Sequence, residues 1–407
     1  MTTASDNPAR RPRVLMLTHR VPYPPDRGDR IRSDRLLREL ARRADVSLAC
    51  LSDEPVTAAQ RTHLADLTMR LEIAPLNSLA CRARGGVALA TGRAITPAWF
   101  TRPGLARTIR RWHADQPFDA ALAFCTSTAD YLRHLPGVPA VLDLVDVDSA
   151  KWAEYASQTR GLKRWIYAAE ARRLVRVEKG DGFRSVAVIS EPEAAVYRER
   201  VGSHRELVVA GNGVDLDRFR PSPDPGEPVA VFTGLLSYRP NAEACQWLVE
   251  RVWPGVREKL PAARLRLVGR GAGPELEALA GVPGVELVGE VEDVAGELAA
   301  AAVAVAPLRI ARGVQNKVLE AMAAGRPVLC TPQALEGIDA APGRDLLVAE
   351  AAADWVHRLA ELLSDAGLRR RFADAGRSRV ESRYDWSAAL APLVDAVLGA
   401  GRGAADD

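Results

Sequence analysis

The chain has 407 residues, 47% hydrophobic and 26% charged, with 55 Lys and Arg against 52 Asp and Glu for a net charge of +3. That length exceeds one average core and fits two domains with a cleft between them, and the composition excludes disordered and fibrous classes. Five scattered cysteines without a Cys-x-x-Cys pair, and six scattered histidines, exclude a disulfide framework and a recognisable zinc site.

No apolar run is long enough to cross a bilayer. The start, MTTASDNPARRPRV, carries arginines but no apolar stretch ahead of a small-residue cleavage site, so a cytoplasmic location is expected. Charge is uneven along the chain. Residues 1–222 carry 35 Lys and Arg against 26 Asp and Glu, a net of +9, and the remainder carries 20 against 26, a net of −6. A basic half can face anionic lipid or nucleic acid, but its charges are spread over many segments and lack aromatics interleaved for base stacking. No nucleic-acid partner is expected, and solvated helix faces account for the excess equally well.

Apolar strand-like runs alternate with amphipathic helical segments, the pattern of parallel sheets covered on both faces, so the fold class is α/β. The predicted strands of the first half are 14–18, 45–51, 70–76, 119–125, 140–146, 185–190 and 207–211. The stretch PSPDPGEP, 221–228, follows; its prolines cannot continue a helix or a central strand, and it is the expected linker. After it come strands at 229–234, 264–269, 285–290, 303–308, 327–331 and 345–350. The expected organisation is a first doubly wound domain over 1–222, a second over 223–385, and a last helix and tail over 386–407 that packs back toward the first domain. Ligands of such sheets bind beyond the carboxyl ends of the strands, where loops enter helices.

After the first strand, THRVPYPPDRGDRIRS brings His19, Arg20 and Tyr23 into a stiffened loop that ends at Gly28, whose helix can face an anion. It is not a Gly-x-Gly-x-x-Gly fingerprint, so a nicotinamide-dependent oxidoreductase is not expected. The segment CRARGGVALATGRAITPAWFTRPGLARTIRRWHADQ, 81–116, mixes arginines with Trp99, Phe100 and Trp112. It reads as a surface that touches a membrane, or as helices packed on the first domain with arginines outward. In LDLVDVDSAKW, Asp146 ends a strand and is expected to face the cleft, whereas Asp148 is placed to cap a helix beginning at Ser149. The Asp-x-Asp spacing there resembles the metal-binding motif of a single-domain, metal-dependent architecture, but a tandem doubly wound chain has no place for that domain.

The most informative stretch is VAVAPLRIARGVQNKVLEAMAAGRPVLCT, 303–331. A buried strand is followed by a loop with Arg309, Arg312 and Gly313, then a helix from about Val314 that Gly325 and Pro327 stop. The amino end of such a helix favours phosphate, and Lys317 adds a full charge. Glu320 lies on the same face and can accept the hydroxyl protons of a ribose; the plain alternative is an intrahelical Lys317–Glu320 ion pair.

These residues resemble family-4 glycosyltransferases, which have the GT-B fold of two Rossmann-like domains. Glu320-Ala-Met-Ala-Ala-Gly-Arg-Pro-Val is similar to the second half of their Glu-x7-Glu motif, AGNGVDLDRFRP (210–221) to the segment closing the acceptor domain, and VISEPEAAVY (188–197) to the strand end before it. LVGRG (267–271) and YDWSAALAPLV (384–394) fall in matching places. HRVPYPPDRGDRIRS, LDLVDVDSAKW and APLRIARGVQNKVLEAMA look most like the sugar transferases associated with PEP-CTERM exopolysaccharide clusters. Two departures stand out: Arg312 occupies the position of the first motif Glu, and GLLSYRPNAEA (234–244) replaces the usual basic phosphate loop.

The resemblance implies a retaining transfer from a nucleotide diphosphate sugar to a saccharide or lipid-linked acceptor, without a cofactor or an essential metal. Lys317 and Arg309 would stabilise the leaving diphosphate, with Arg239 as a further cation, and Glu320 would hold the ribose. Gly28, Gly234, Asn241, Gly269, Arg270 and Gly313 complete the expected donor site. His19, Arg20, Tyr23 and Asp148 are acceptor-side candidates, and Asp146 would orient the acceptor hydroxyl. The alternatives are a non-hydrolysing nucleotide-sugar epimerase and a catalytically silent nucleotide-sugar binder; Arg312 and the altered loop suggest the latter.

Overall fold

The computed structural model describes residues 10–25, 28–203, 205–311 and 314–402. The chain divides into two units: residues 1–211 together with 390–407, and residues 212–389.

The first unit is built on a parallel seven-stranded sheet of β1 (Arg13–Thr18), β2 (Asp45–Ser52), β3 (Arg70–Pro75), β4 (Ala120–Phe124), β5 (Ala140–Val145), β6 (Ser185–Val188) and β7 (Glu206–Val209), in the order β3-β2-β1-β4-β5-β6-β7. The second carries a parallel six-stranded sheet of β8 (Val229–Thr233), β9 (Arg264–Val268), β10 (Val285–Gly289), β11 (Val303–Ala306), β12 (Val328–Cys330) and β13 (Leu347–Val348), in the order β10-β9-β8-β11-β12-β13. All thirteen strands lie where the apolar runs predict them. The reason is burial on both faces: in β8, Ala230 and Phe232 join one core cluster while Val229 and Val231 join the other, so the strand reads as a continuous apolar run.

In each sheet the winding reverses once, between β1 and β4 and between β8 and β11. A crevice opens at such a switch point beyond the strand ends, because neighbouring connections leave toward opposite faces. In the second unit the loops that meet there are those after Thr233 and Ala306.

The Pro-rich stretch is not a free linker. The division falls ahead of it, at 211/212, and the second unit's arginines hold the segment down. Arg377 donates to the Phe219 carbonyl, Arg326 to the carbonyls of Ser222 and Pro223, and Arg369 to Asp224. Proline supplies no N–H of its own, so these carbonyls are satisfied by side chains instead of a ladder. Val214 bridges Asp385, and a Cβ on Gly213 would collide with Trp386, which fixes the entry to the second unit against the start of the Trp386–Arg402 helix.

Segment 81–116 folds as helices Ser78–Ala90, Ile95–Phe100 and Pro103–Asp115 with the aromatics turned inward. Trp112 is buried beneath the Arg70 guanidinium, Trp99 packs on Gly85, and Phe100 meets the ring of His19. Trp112 is buried, and Trp99 and Phe100 are half-buried against the first unit.

Candidate active site

Position 317 stands at the second unit's switch point. The helix carrying it runs Asn316–Ala323, two residues later than predicted, and its preceding residue Gln315 makes no side-chain cap. Its inner face, Val318, Leu319, Ala321, Met322 and Ala323, is buried. The small residues explain the Ala-rich composition, because they let the helix lie close on its neighbours; a Cβ on Gly376 would touch Met322. The helix closes as read from Gly325, which has φ +66°. The N–H of Arg326 bonds the Ala321 carbonyl and that of Gly325 bonds Met322, a Schellman closure.

The Lys317 ammonium turns back over the end of β8. Nζ lies 4.2 Å from the centroid of the Phe232 ring and donates to Asn241 Oδ1 at 2.6 Å. Asn241 is held in turn by its amide donating to the Leu235 carbonyl at 2.8 Å. Gly234 makes this approach possible: with φ +154°, it leaves free a place where a Cβ would lie 2.8 Å from Nζ. Gly269, with φ +150°, is tighter still, since a Cβ there would fall 1.6 Å from the Gly234 carbonyl oxygen. These two glycines and Asn241, all expected at the donor site, therefore build one support for Lys317.

Burial pushes the Lys317 amine down to about 8, against the favourable fields of Cys245 and Glu320. Glu320 moves the other way: burial raises its carboxyl, opposed by Arg218 and then Lys317. Both side chains nonetheless keep part of their surface open. No Lys317–Glu320 ion pair forms among the described residues, so the plain reading of the two charges as an intrahelical bridge does not hold. The ammonium has spent one of its three donors on Asn241. The Glu320 carboxylate makes no hydrogen bond among the described residues.

The other cations expected here are placed differently. Arg239 is exposed and donates to Glu243 at 2.6 Å, an i,i+4 surface pair. Arg270 is exposed, with Glu290 at 3.9 Å, while its backbone carbonyl accepts from Leu236 beside the Gly234 turn. Arg309 is exposed and lines a cavity of about 680 Å³ with Glu243, Trp247, Thr331, Gln333 and Glu350, beyond the ends of β11 to β13. Gly313 and Arg312 lie outside the described residues.

In the first unit, His19 and Arg20 converge on Asp29 at the start of the Gly28–Arg43 helix. Arg20 donates to Oδ2 at 2.7 Å and to Asp53 at 3.3 Å, and His19 Nε2 is 3.4 Å from Asp29 Oδ2. Burial would raise the Asp29 carboxyl, but the hydrogen bonds from His19 and Arg20 outweigh it and hold it below the usual range. Tyr23 lies apart, its ring stacked on His63 at 3.8 Å. Gly28 has open space where a Cβ would stand.

Asp148 does not cap its helix. The helix begins at Asp148 itself, the capping position is Val147, and the Ser149 N–H is taken by Glu178 at 2.8 Å. The Asp148 carboxylate instead accepts from the Thr126 hydroxyl. Burial raises the Asp148 carboxyl, against that hydrogen bond. Asp146 is exposed and follows Val145, which has φ +66°. Cys125, at the end of the neighbouring β4, has the same φ. Two non-glycine residues strained side by side at strand ends mark an over-determined backbone of the kind that collects at functional sites. Sequence reasoning passed over Cys125, Thr126 and Phe232, which look like ordinary strand-end and core residues.

Among known proteins, residues 227–365 match the family described as Glycosyl transferases group 1 (Glyco_trans_1_4). No curated protein matches the chain. Solved structures do match. The chain is similar to sucrose-phosphate synthase (tll1590) from Thermosynechococcus elongatus at 17% identity and TM-score 0.67, covering 97% of this chain and 100% of that one. It is similar to Anabaena Alr3699/HepE in complex with UDP and glucose at 14% identity and TM-score 0.64, covering 95% and 99%. WaaG, a glycosyltransferase involved in lipopolysaccharide biosynthesis, matches at 18% identity and TM-score 0.64, covering 95% and 100%. The fold is GT-B, two parallel-sheet Rossmann-like units.

Proposed function

We propose that this chain, whose residues 227–365 match the group 1 glycosyltransferase family, moves a sugar from a nucleoside diphosphate sugar to a saccharide or lipid-linked saccharide acceptor with retention at the anomeric carbon. The sequence resemblance to family-4 transferases of exopolysaccharide clusters extends the reading to cell-surface glycan synthesis, with the acceptor presented at the cytoplasmic membrane face. HepE is described in complex with UDP and UDP-glucose, and a uridine diphosphate sugar is accordingly the first donor to try.

One observation carries the reading. At the switch point of the second unit, a partly buried ammonium with unspent donors and a carboxylate without a hydrogen bond among the described residues stand one turn apart on a helix whose capping residue, Gln315, makes no side-chain cap. A diphosphate fits the first and a ribose diol the second. In the transfer, the bond from C1 to the phosphate oxygen breaks with its electron pair left on the diphosphate. The acceptor oxygen bonds to C1, and its proton passes to the departing diphosphate. Charge grows on that oxygen in an oxocarbenium-like transition state, so a fixed cation aimed at it lowers the barrier. In this reading Lys317 supplies the cation, Asn241 holds it in place, Glu320 grips the ribose, and Arg309 reaches in from its cavity. Asp146 orients the acceptor hydroxyl, with His19, Arg20 and Asp148 as its neighbours on the acceptor side. No divalent metal takes part.

The test is release of nucleoside diphosphate from a panel of donor sugars with glucosyl, mannosyl and polyprenyl-linked acceptors, with and without a chelator. Acceptor-dependent release that survives chelation supports the reading, and release from no donor sinks it. A nucleotide-sugar binder without turnover is the second reading. It is favoured by the commitment of Arg239 to Glu243, which leaves fewer cations placed in advance; saturable binding without release would establish it.

A further inference from the structure

The second unit carries a cavity of about 860 Å³ at the end of its sheet opposite the Lys317 crevice. Ala302 and Pro327, which line it, stand just before β11 and β12, whereas the crevice opens beyond the strand ends. One wall is a face of helix Ala366–Arg383, on which Ala366, Arg369, Arg370, Ala373 and Arg377 recur at helical spacing. The facing wall is the Pro-rich segment at Pro221 and Pro223 together with the turn at Gly325 and Arg326. The volume is that of a small-molecule site.

Four guanidinium groups line this space: Arg326, Arg369, Arg370 and Arg377. Three of them tie down the Pro-rich segment, but that role leaves donors over. Arg326 is 2% exposed. Its Nη2 is spent on Ser222 and Pro223, whereas Nε is buried with no hydrogen-bond partner and Nη1 makes no hydrogen bond among the described residues. Arg369, also buried, uses Nε on Asp224 and Nη1 on the Leu362 and Leu363 carbonyls. Arg377 uses Nε on Glu381 and Nη1 on the Phe219 and Ala323 carbonyls. Both keep Nη2 unbonded among the described residues. Arg370 is exposed and makes no hydrogen bond or ion pair among them.

The charge is unbalanced as well. Asp224 pairs with Arg369 and Glu381 with Arg377, but no carboxylate pairs with Arg326 or Arg370 among the described residues. Burial pulls the Arg326 pKa down against the field of Asp224. A buried guanidinium with an unmade hydrogen bond costs stability unless an acceptor arrives. Asp374 also lines the cavity, exposed and unpaired among the described residues.

We propose that this cavity is a second ligand site, separate from the sugar-donor crevice, and that it takes a phosphate monoester with a compact, apolar body. Planar arginine forks match phosphate oxygens in pairs, and several around one space suit a dianion. Pro221, Pro223, Pro327 and Ala373 offer apolar surface to the rest of the ligand. The site goes beyond the transferase reading and does not rest on it.

The test is calorimetric titration of the full chain with phenyl phosphate and with inorganic phosphate, read on wild type, Arg370→Gln, Asp374→Asn, Arg371→Gln and Lys317→Met. Wild type is expected to bind one phenyl phosphate, about tenfold tighter than inorganic phosphate because the ring is buried too. Arg370→Gln should weaken binding about tenfold at an unchanged melting temperature, and Asp374→Asn should tighten it about two- to fivefold. Arg371 is exposed on the same helix, over the Phe372 ring and away from the cavity, so Arg371→Gln should leave binding unchanged, as should Lys317→Met. Saturable binding with that order of variants supports the proposal. No saturable binding, phenyl phosphate no tighter than inorganic phosphate, or equal losses in Arg370→Gln and Arg371→Gln overturns it. Binding lost in Lys317→Met and kept in Arg370→Gln overturns it too, since the ligand would then sit in the donor crevice. Sugar transfer enters none of these readouts, so the transferase reading and the second site stand or fall separately.

Discussion

Replacing Lys317 with methionine separates what the ammonium does for the fold from what it does for the ligand. Burial lowers its amine from 10.5 to about 8, so at pH 7 the charged form costs the folded state about 3 kcal/mol at about 1.4 kcal/mol per unit. Methionine removes that cost and fills similar volume, but leaves Asn241 Oδ1 without its donor, a loss of about 1–2 kcal/mol. The expected net is a gain of about 1–2 kcal/mol in the unliganded protein, a rise of about 2–6 °C in melting temperature for a unit of this size. Because the folded value lies below the unfolded one, the cost is full below about pH 8 and is relieved as pH rises toward 10.5. The variant's advantage should therefore shrink across that window. Binding moves the opposite way: losing one charge-assisted hydrogen bond to a diphosphate weakens affinity by about 1.5–3 kcal/mol, roughly tenfold to a hundredfold. Thermal melting of wild type and variant at pH 7 and pH 10, with and without UDP, reads all three effects. A variant that loses more than about 2 kcal/mol and keeps the UDP shift would make Lys317 a structural pin between two helices and not a ligand to the diphosphate.

The two glycines beneath Lys317 should separate as well. Gly269→Ala places a methyl 1.6 Å from a backbone carbonyl, and a loss of more than about 3 kcal/mol in a urea titration is expected. Gly234→Ala presses on the movable Lys317 and Asn241 side chains and puts a side chain at φ +154°; it should lose about 1–3 kcal/mol, less than Gly269→Ala, and bind nucleotide poorly. Glu178→Gln addresses the first unit: burial raises that carboxyl to about 7, against its hydrogen bond to Ser149. Its stabilising share is complete below about pH 4.5 and vanishes as pH rises through 7, so the variant should lack the part of the stability–pH curve that falls between those values. Arg32→Met breaks a buried bidentate pair with Asp143, at 2.9 and 3.2 Å, and frees the carbonyls of Ala210 and Gly211. A loss of about 3–5 kcal/mol is expected in chemical denaturation.

Strand positions were legible because two-sided burial writes itself as short apolar runs, and Gly325 was legible because a left-handed helix end wants glycine. The pairing of Lys317 with Glu320 as site residues was legible from spacing alone, but the position of the ammonium was not. It depends on Asn241 and Phe232, 76 and 85 residues away in the chain, whose types say nothing of what they will touch. Asp148 looked like a helix cap because its spacing suits one; the long reach of Glu178 took the Ser149 N–H first. Trp99, Phe100 and Trp112 looked like an interfacial aromatic set, since a basic amphipathic helix reads the same from either side.

The central claim is that the pyrophosphate of an activated sugar meets the amino end of the Asn316–Ala323 helix. A crystal structure with bound UDP tests it most directly. Phosphate oxygens are expected within hydrogen-bond distance of Lys317 Nζ and the ribose hydroxyls on Glu320. Nucleotide lodged elsewhere, for instance in the 860 Å³ arginine-lined cavity beside Arg326 and Arg370, with Lys317 still closed on Asn241, would contradict it.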